Sequence, residues 1–158
     1  MRHSAIMDHY DPEKKIGMMV DEWGCWHDVE PGTNPGFLYQ QNTMRDALTA
    51  GVSRNIFNKH CDRIKMACIA QIVNVLQSVI LTEGKKMLLT PTYHVFHMYK
   101  YHQDADLVES WLEGAGKTGV KETEMVPEVQ ESVSVDENGV LTVTLNNLCT
   151  EAEKEIEL

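Results

Sequence analysis

The chain has 158 residues, 42% of them hydrophobic, with 14 basic and 24 acidic side chains and a formal charge of −10. That length supports one domain of ordinary size, but not a whole (β/α)₈ barrel, which takes roughly 250 residues. The charge is unevenly spread: residues 1–103 carry 11 basic and 10 acidic side chains, residues 104–158 carry 3 and 14. An acidic half of this kind argues against nucleic acid and against an anionic membrane surface as partners.

In chain order, residues 1–15 read as a helix end and a loop, with Asp11-Pro12-Glu13-Lys14-Lys15 as a polar turn. No stretch reaches the roughly 18 apolar residues of a membrane span. The first eight residues hold no apolar signal-peptide core, so a cytoplasmic protein is expected. Residues 16–21 form a short apolar run that predicts a strand buried on both faces, as in a parallel sheet. Residues 23–41 contain Pro31, Gly32, Pro35 and Gly36 and read as a long loop, a length that usually carries function. Thr43 to about His60 has helical spacing, with Asn42 or Thr43 as cap and Gly51 as a point of division into two helices.

Ile64 to Ile69 predicts a second buried strand, completing a strand–helix–strand unit and a parallel sheet. Ile69 to Leu81 is also apolar, so strand and following helix are not separable there by periodicity. Tyr93 to Tyr101 predicts a further short helix after Pro91. Beyond residue 104 the strand formers Val133, Val135, Val140, Leu141, Val143 and Leu145 flank Asp136-Glu137-Asn138-Gly139, a strong hairpin signal. Residues 151–158 alternate like a strand and stop without a turn, as a cut end would.

The chemistry concentrates in Val20-Asp21-Glu22-Trp23-Gly24-Cys25-Trp26. There an apolar strand runs into two carboxylates and two indoles. Catalytic groups of (β/α) barrels sit at the C-terminal ends of strands. A carboxylate beside aromatic rings suits a sugar substrate, whose transition state is oxocarbenium-like and whose ring packs on indole. Cys25, Cys61, Cys68 and Cys149 show neither paired metal-ligand spacing nor a disulfide framework, so reduced structural cysteines are expected. His94, His97 and His102 lack a third ligand at metal spacing.

Six blocks in order make the pattern specific. They are Asp21-Glu22-Trp23, Val29-Glu30-Pro31-Gly32-Thr33-Asn34-Pro35, Gln40-Gln41-Asn42-Thr43, Asn55 to Arg63, Ala70-Gln71-Ile72-Val73-Asn74-Val75, and Thr90 to Phe96. Together they resemble the α-L-arabinofuranosidases of glycoside hydrolase family 51; residues 105–158 match only loosely, as that family's C-terminal β-sandwich would.

The resemblance implies an α/β plus β fold: the last two β/α units of a TIM (β/α)₈ barrel in residues 1–90, then a partial C-terminal β-sandwich in residues 91–158. It implies a retaining hydrolase that removes non-reducing-end arabinofuranosyl units from arabinoxylan, arabinan or their oligosaccharides. No metal and no organic cofactor is implied, and a homo-oligomer is in keeping with the family.

By the same resemblance Glu22 is the nucleophile, Trp26 walls the sugar site, and Gln71 binds substrate hydroxyls. His27 stands where the family often has another aromatic. Asp21, adjacent to Glu22, is expected to be structural and to pair with Arg63 or Lys65. The family's acid/base is the Glu of an Asn-Glu dipeptide, and this sequence has none. The chain alone is therefore expected to be inactive, carrying the nucleophile portion of a longer enzyme. The alternative is a non-catalytic β-rich chain that binds carbohydrate or protein.

Overall fold

The computed structural model describes residues 2–158. Helix α1 (Arg2–Tyr10) leads into a turn and strand β1 (Met18–Trp23). A long irregular loop holds one 3-10 turn, Pro35–Phe37. Helix α2 (Met44–Lys59) follows, then β2 (Ile64–Ile69). A hairpin of β3 (Ile80–Glu83) and β4 (Lys86–Leu89) precedes α3 (Pro91–Tyr99). The remainder is β5 (Asp106–Val108), β6 (Lys117–Thr118), β7 (Val126–Pro127), β8 (Val129–Val135) and β9 (Leu141–Asn147).

The strand–helix–strand unit is present: β1 and β2 pair in parallel, with α2 as the crossover. Thr43 is the helix N-cap. Its N–H donates to Asp46 Oδ2 at 2.8 Å, and its hydroxyl lies 3.1 Å from the same oxygen. This reciprocal cap fixes where the loop ends and the helix begins. The other helix start is as local: Thr90 Oγ1 accepts from Tyr93 N–H and Pro91 supplies the first helical position.

Three expectations about where helices and strands run are corrected. Gly51 does not divide α2, which is continuous. Its missing side chain makes room for β9 instead: a Cβ there would come within 2.0 Å of Asn146 Oδ1. Residues 69–81 form no helix. They run through an irregular segment into the β3–β4 hairpin, turned at Gly84 with φ +57°. The final residues, 148–158, are irregular rather than a strand.

The strand expected over 16–21 forms at Met18–Trp23, and it is not buried on both faces. Ile16 is 63% exposed, Met19 58% and Met66 49%. Within the described residues β1 and β2 form a sheet of only these two strands, so one apolar face meets solvent. The buried apolar cluster is small: Ala47, Ala50, Val95 and Tyr99, where α2 meets α3, with Trp23 packed against it. Trp23 meets Phe57 edge-on at 5.3 Å and stacks on Phe96 at 6.0 Å.

Polar groups do much of the remaining work. Arg63, 1% exposed, donates to Asp8, Asp11, Ile16 O and Asp11 O at 2.5–2.9 Å, tying α1 and its turn to β2. The Asp8 carboxylate, then Asp11, hold this guanidinium charged to beyond its usual range. Arg63 is therefore the partner of Asp8 and Asp11 rather than of Asp21, and Lys65 donates to Cys61 O at 2.6 Å.

Strands β5, β8 and β9 form a three-stranded antiparallel sheet, with β6 and β7 a separate short ladder. The β8–β9 hairpin turns where the sequence signals it, with Asp136 Oδ1 accepting from Asn138 and Val140 N–H. The sheet lies against α2. Asn58 donates to Ser132 at 3.1 Å, Lys59 pairs with Glu131, and Asn146 donates to Tyr99 Oη at 2.7 Å.

Candidate active site

The parallel pairing sends β1 and β2 in one direction, so their C-terminal ends open on the same side. Between Val20 and Trp23 the register shifts: those two residues pair with Ala67 and Ile69, leaving an extra residue on β1. A bulge of this kind re-aims side chains at the end of a strand. It falls on Asp21 and Glu22, both of which are exposed. Trp23 turns inward to the helices while the carboxylate before it stays at the surface.

Gly24, at φ +145°, then carries the chain out of β1. A Cβ at this position would meet Gln77 Oε1 at 3.0 Å and Ala70 O at 3.3 Å, so the close approach of loop and β2 end suits glycine. Ala70 N–H donates to Trp23 O at 2.9 Å across this junction. Two buried amides hold the loop from beneath. Gln77 Oε1 accepts from Cys25 N–H at 2.8 Å, and Gln40 Oε1 accepts from His27 N–H at 3.0 Å. Gln77 Nε2 also donates to Asp46 O at 2.7 Å, locking the loop to the start of α2.

The result is a cleft of about 370 Å³ lined by Glu22, Trp26 and Gln71, together with Cys25, Leu38 and Leu76. The three residues singled out from the sequence therefore meet at one place. Glu22 comes from the end of β1, Trp26 from the loop after it, and Gln71 from just beyond β2. Trp26 is 70% exposed, an indole standing at the rim rather than packed under the loop. Gln71 is exposed too; the buried, hydrogen-bonded amides are Gln40 and Gln77. A carboxylate, an indole face and an amide are a donor, acceptor and stacking set suited to a polyhydroxylated ring.

A larger apolar groove of about 1020 Å³ lies between Phe37-Leu38-Tyr39 and the β3–β4 hairpin. It contains none of the three residues, and its one carboxylate, Glu83, comes from the hairpin end. The three residues singled out from the sequence line only the smaller of these two cavities.

Asn74 does not face the cleft residues. It ties the hairpin, exchanging hydrogen bonds with Thr82 at 2.7–3.2 Å. Of the three histidines after Pro91, His94 meets Tyr93 edge-on. His97 stacks on Tyr93, and His102 turns to Ser134 and Thr144 in the sheet. His27 is half-buried and lies beside Cys25 and Asp46. Sequence reasoning missed Gln40, Gln77 and Asp46 as the frame of the site. Only the Asp46 side of the helix cap carried a local signal.

Comparison with known proteins identifies the family. The model of the alpha-L-arabinofuranosidase C-terminal domain matches residues 21–156. An intracellular exo-alpha-L-arabinofuranosidase of Bacteroides ovatus is 51% identical over 157 residues, which is 99% of this chain and 30% of that protein. An intracellular exo-alpha-(1->5)-L-arabinofuranosidase of Bacillus subtilis is 28% identical over 92% of this chain and 31% of its own length. The crystal structure of the family 51 arabinofuranosidase from Xanthomonas axonopodis pv. citri superposes with a TM-score of 0.89 at 51% identity, covering 95% of this chain and 30% of that one. The chain thus spans about a third of the length of these relatives.

Proposed function

Because the chain belongs to the family of α-L-arabinofuranosidase C-terminal domains, we propose that it carries the nucleophile portion of a retaining glycoside hydrolase. The substrates are non-reducing-end α-L-arabinofuranosyl groups on arabinoxylan, arabinan or arabino-oligosaccharides. In this reading residues 1–90 are the end of a (β/α)₈ barrel and residues 91–158 part of a β-sandwich. The parallel β1–β2 pair with its crossover helix, and its uncovered apolar face, support the first part. The antiparallel β5–β8–β9 sheet supports the second. A cytoplasmic location agrees with the printed name of the Bacteroides ovatus relative. No helix among the described residues is long and apolar enough to cross a membrane.

The observation that carries the proposal is the convergence of Glu22, Trp26 and Gln71 on one cleft from separate segments. Glu22 attacks the anomeric carbon as the glycosidic C–O bond breaks. A second carboxylic acid, supplied from outside this chain and reaching to about 5–5.5 Å from Glu22, protonates the leaving oxygen. Water then displaces Glu22, the second carboxylate taking its proton, so that configuration is retained. Trp26 packs against the sugar ring and Gln71 bonds a hydroxyl, which together hold the anomeric carbon over the carboxylate.

The test is Glu22→Gln in a chain completed to the length of the relatives. Turnover of an aryl arabinofuranoside should disappear with the fold intact by circular dichroism. Azide should restore activity to Glu22→Ala and give product of inverted configuration. More than about a tenth of wild-type turnover in Glu22→Gln would assign the nucleophile elsewhere.

A further inference from the structure

The loop that carries Trp26 also brings together three side chains of metal-ligating type. Cys25, His27 and Asp46 each offer one ligand atom, and these atoms lie within 4.8 Å of one another. We propose that Cys25, His27 and Asp46 form a binding site for a divalent cation of the zinc class, clamping the Trp26 loop to the N-terminus of α2.

The donors are already held in place from behind. Gln40, 1% exposed, accepts from His27 N–H and donates to Cys25 O at 3.3 Å. Gln77, fully buried, accepts from Cys25 N–H and donates to Asp46 O. The same two amides thus anchor all three ligand-bearing segments, the kind of outer support that orients metal ligands. Nε2 of His27 is buried and has no hydrogen-bond partner among the described residues. A buried imidazole nitrogen without a partner is costly unless something occupies it.

Asp46 is fully buried, and its two oxygens differ. Oδ2 is taken by the Thr43 cap, while Oδ1 has only a 3.4 Å contact from Gln40. The cation beside it, Arg45, is half exposed at 3.4 Å and compensates it weakly.

Chemistry selects the ion. A thiolate, an imidazole and a carboxylate are a borderline-soft set that suits zinc over magnesium or calcium. Metal–ligand distances of roughly 2.0–2.3 Å put tetrahedral ligands about 3.3–3.7 Å apart, so the cluster has only a short way to close. Binding releases the Cys25 thiol proton to solvent. The thiolate and the Asp46 carboxylate then balance the two positive charges. The fourth position is left to water. The site lies on the loop side of the cleft and takes no part in the attack by Glu22. It acts on the position of Trp26, which stands between two of its ligands in the chain.

The probe is Co²⁺ alone, titrated into the metal-stripped 158-residue chain. One equivalent should bind with a near-ultraviolet thiolate-to-cobalt charge-transfer band that Zn²⁺ abolishes and Mg²⁺ does not. Cys25→Ser should lose the band, whereas Cys61→Ser and Cys149→Ser should keep it. His27→Gln should weaken Co²⁺ binding by about tenfold or more. It should also lose the rise in unfolding midpoint that Zn²⁺ gives the wild type. It reports on the site even if Cys25→Ser folds poorly. No thiolate band in the wild type, a band that survives Cys25→Ser, or unchanged affinity in His27→Gln would each overturn the assignment. None of these results bears on Glu22, whose own test is separate.

Discussion

At the scale of single residues, the cleft rests on a division of labour between neighbours in the chain. Trp23 points into the helices and Trp26 stands at the rim, three residues apart and separated by the turn at Gly24. Gln71 is free to meet a ligand, while Gln40 and Gln77 spend their amides on the loop backbone. Trp26→Ala and Gln71→Ala in the completed enzyme should therefore each weaken transition-state binding by about 1–3 kcal/mol, read as kcat/KM. Stability should change little in either, because both side chains are exposed. Kinetics unchanged in both variants would return them to the scaffold.

At the scale of elements, the contact between the helices and the antiparallel sheet is polar, and it holds a histidine as well as the Lys59–Glu131 pair and Tyr99. His102, just after α3, has Nδ1 2.7 Å from Ser134 Oγ on β8 and Nε2 3.1 Å from Thr144 Oγ1 on β9. Burial first, and the Arg54 guanidinium second, push its pKa below the usual 6.5. The unfolded chain thus takes up the proton before the folded one as pH falls. Stability from the neutral imidazole is fully present above about pH 6.5 and is lost as pH drops through the folded-state pKa. Urea midpoints of wild type and His102→Gln should accordingly converge on acidification from about pH 7.5 to 5. Parallel pH profiles for the two would show that His102 is not the titrating group.

At the scale of the whole molecule, the described chain buries few large apolar side chains and leaves Ile16, Met19, Met66, Met87 and Leu88 exposed. Surface of this kind predicts self-association at raised concentration, tempered by the charge of −10. Among the described residues the cleft is lined by one carboxylate, Glu22. A retaining mechanism needs two, roughly 5–5.5 Å apart. The 158-residue chain alone is expected to give no turnover of an aryl arabinofuranoside above background, and to gain it when the preceding part of the relatives' length is supplied. Turnover by the isolated chain would demand a second catalytic acid among its own residues.

The sequence by itself determined the elements whose signals are local. It put the start of α2 at Asn42 or Thr43, of which the structure takes Thr43; it expected a short helix after Pro91; and it turned the β8–β9 hairpin at Asp136 to Gly139. It also located the β1–α2–β2 unit, because apolar runs and helical spacing are properties of neighbours along the chain. The ordered blocks from Asp21 to Phe96 carried the family.

Tertiary structure decided what depends on partners far apart in sequence. Gly51 looked like a helix break until Asn146, 95 positions away, was seen to need its space. Arg63 finds Asp8 and Asp11 instead of Asp21 because α1 folds back over the start of β2. The cluster of Cys25, His27 and Asp46 exists only because Gln40 and Gln77 fasten the loop to a helix that begins after it. Local pattern fixes which way a segment bends; which buried donor meets which acceptor is settled only when the segments pack.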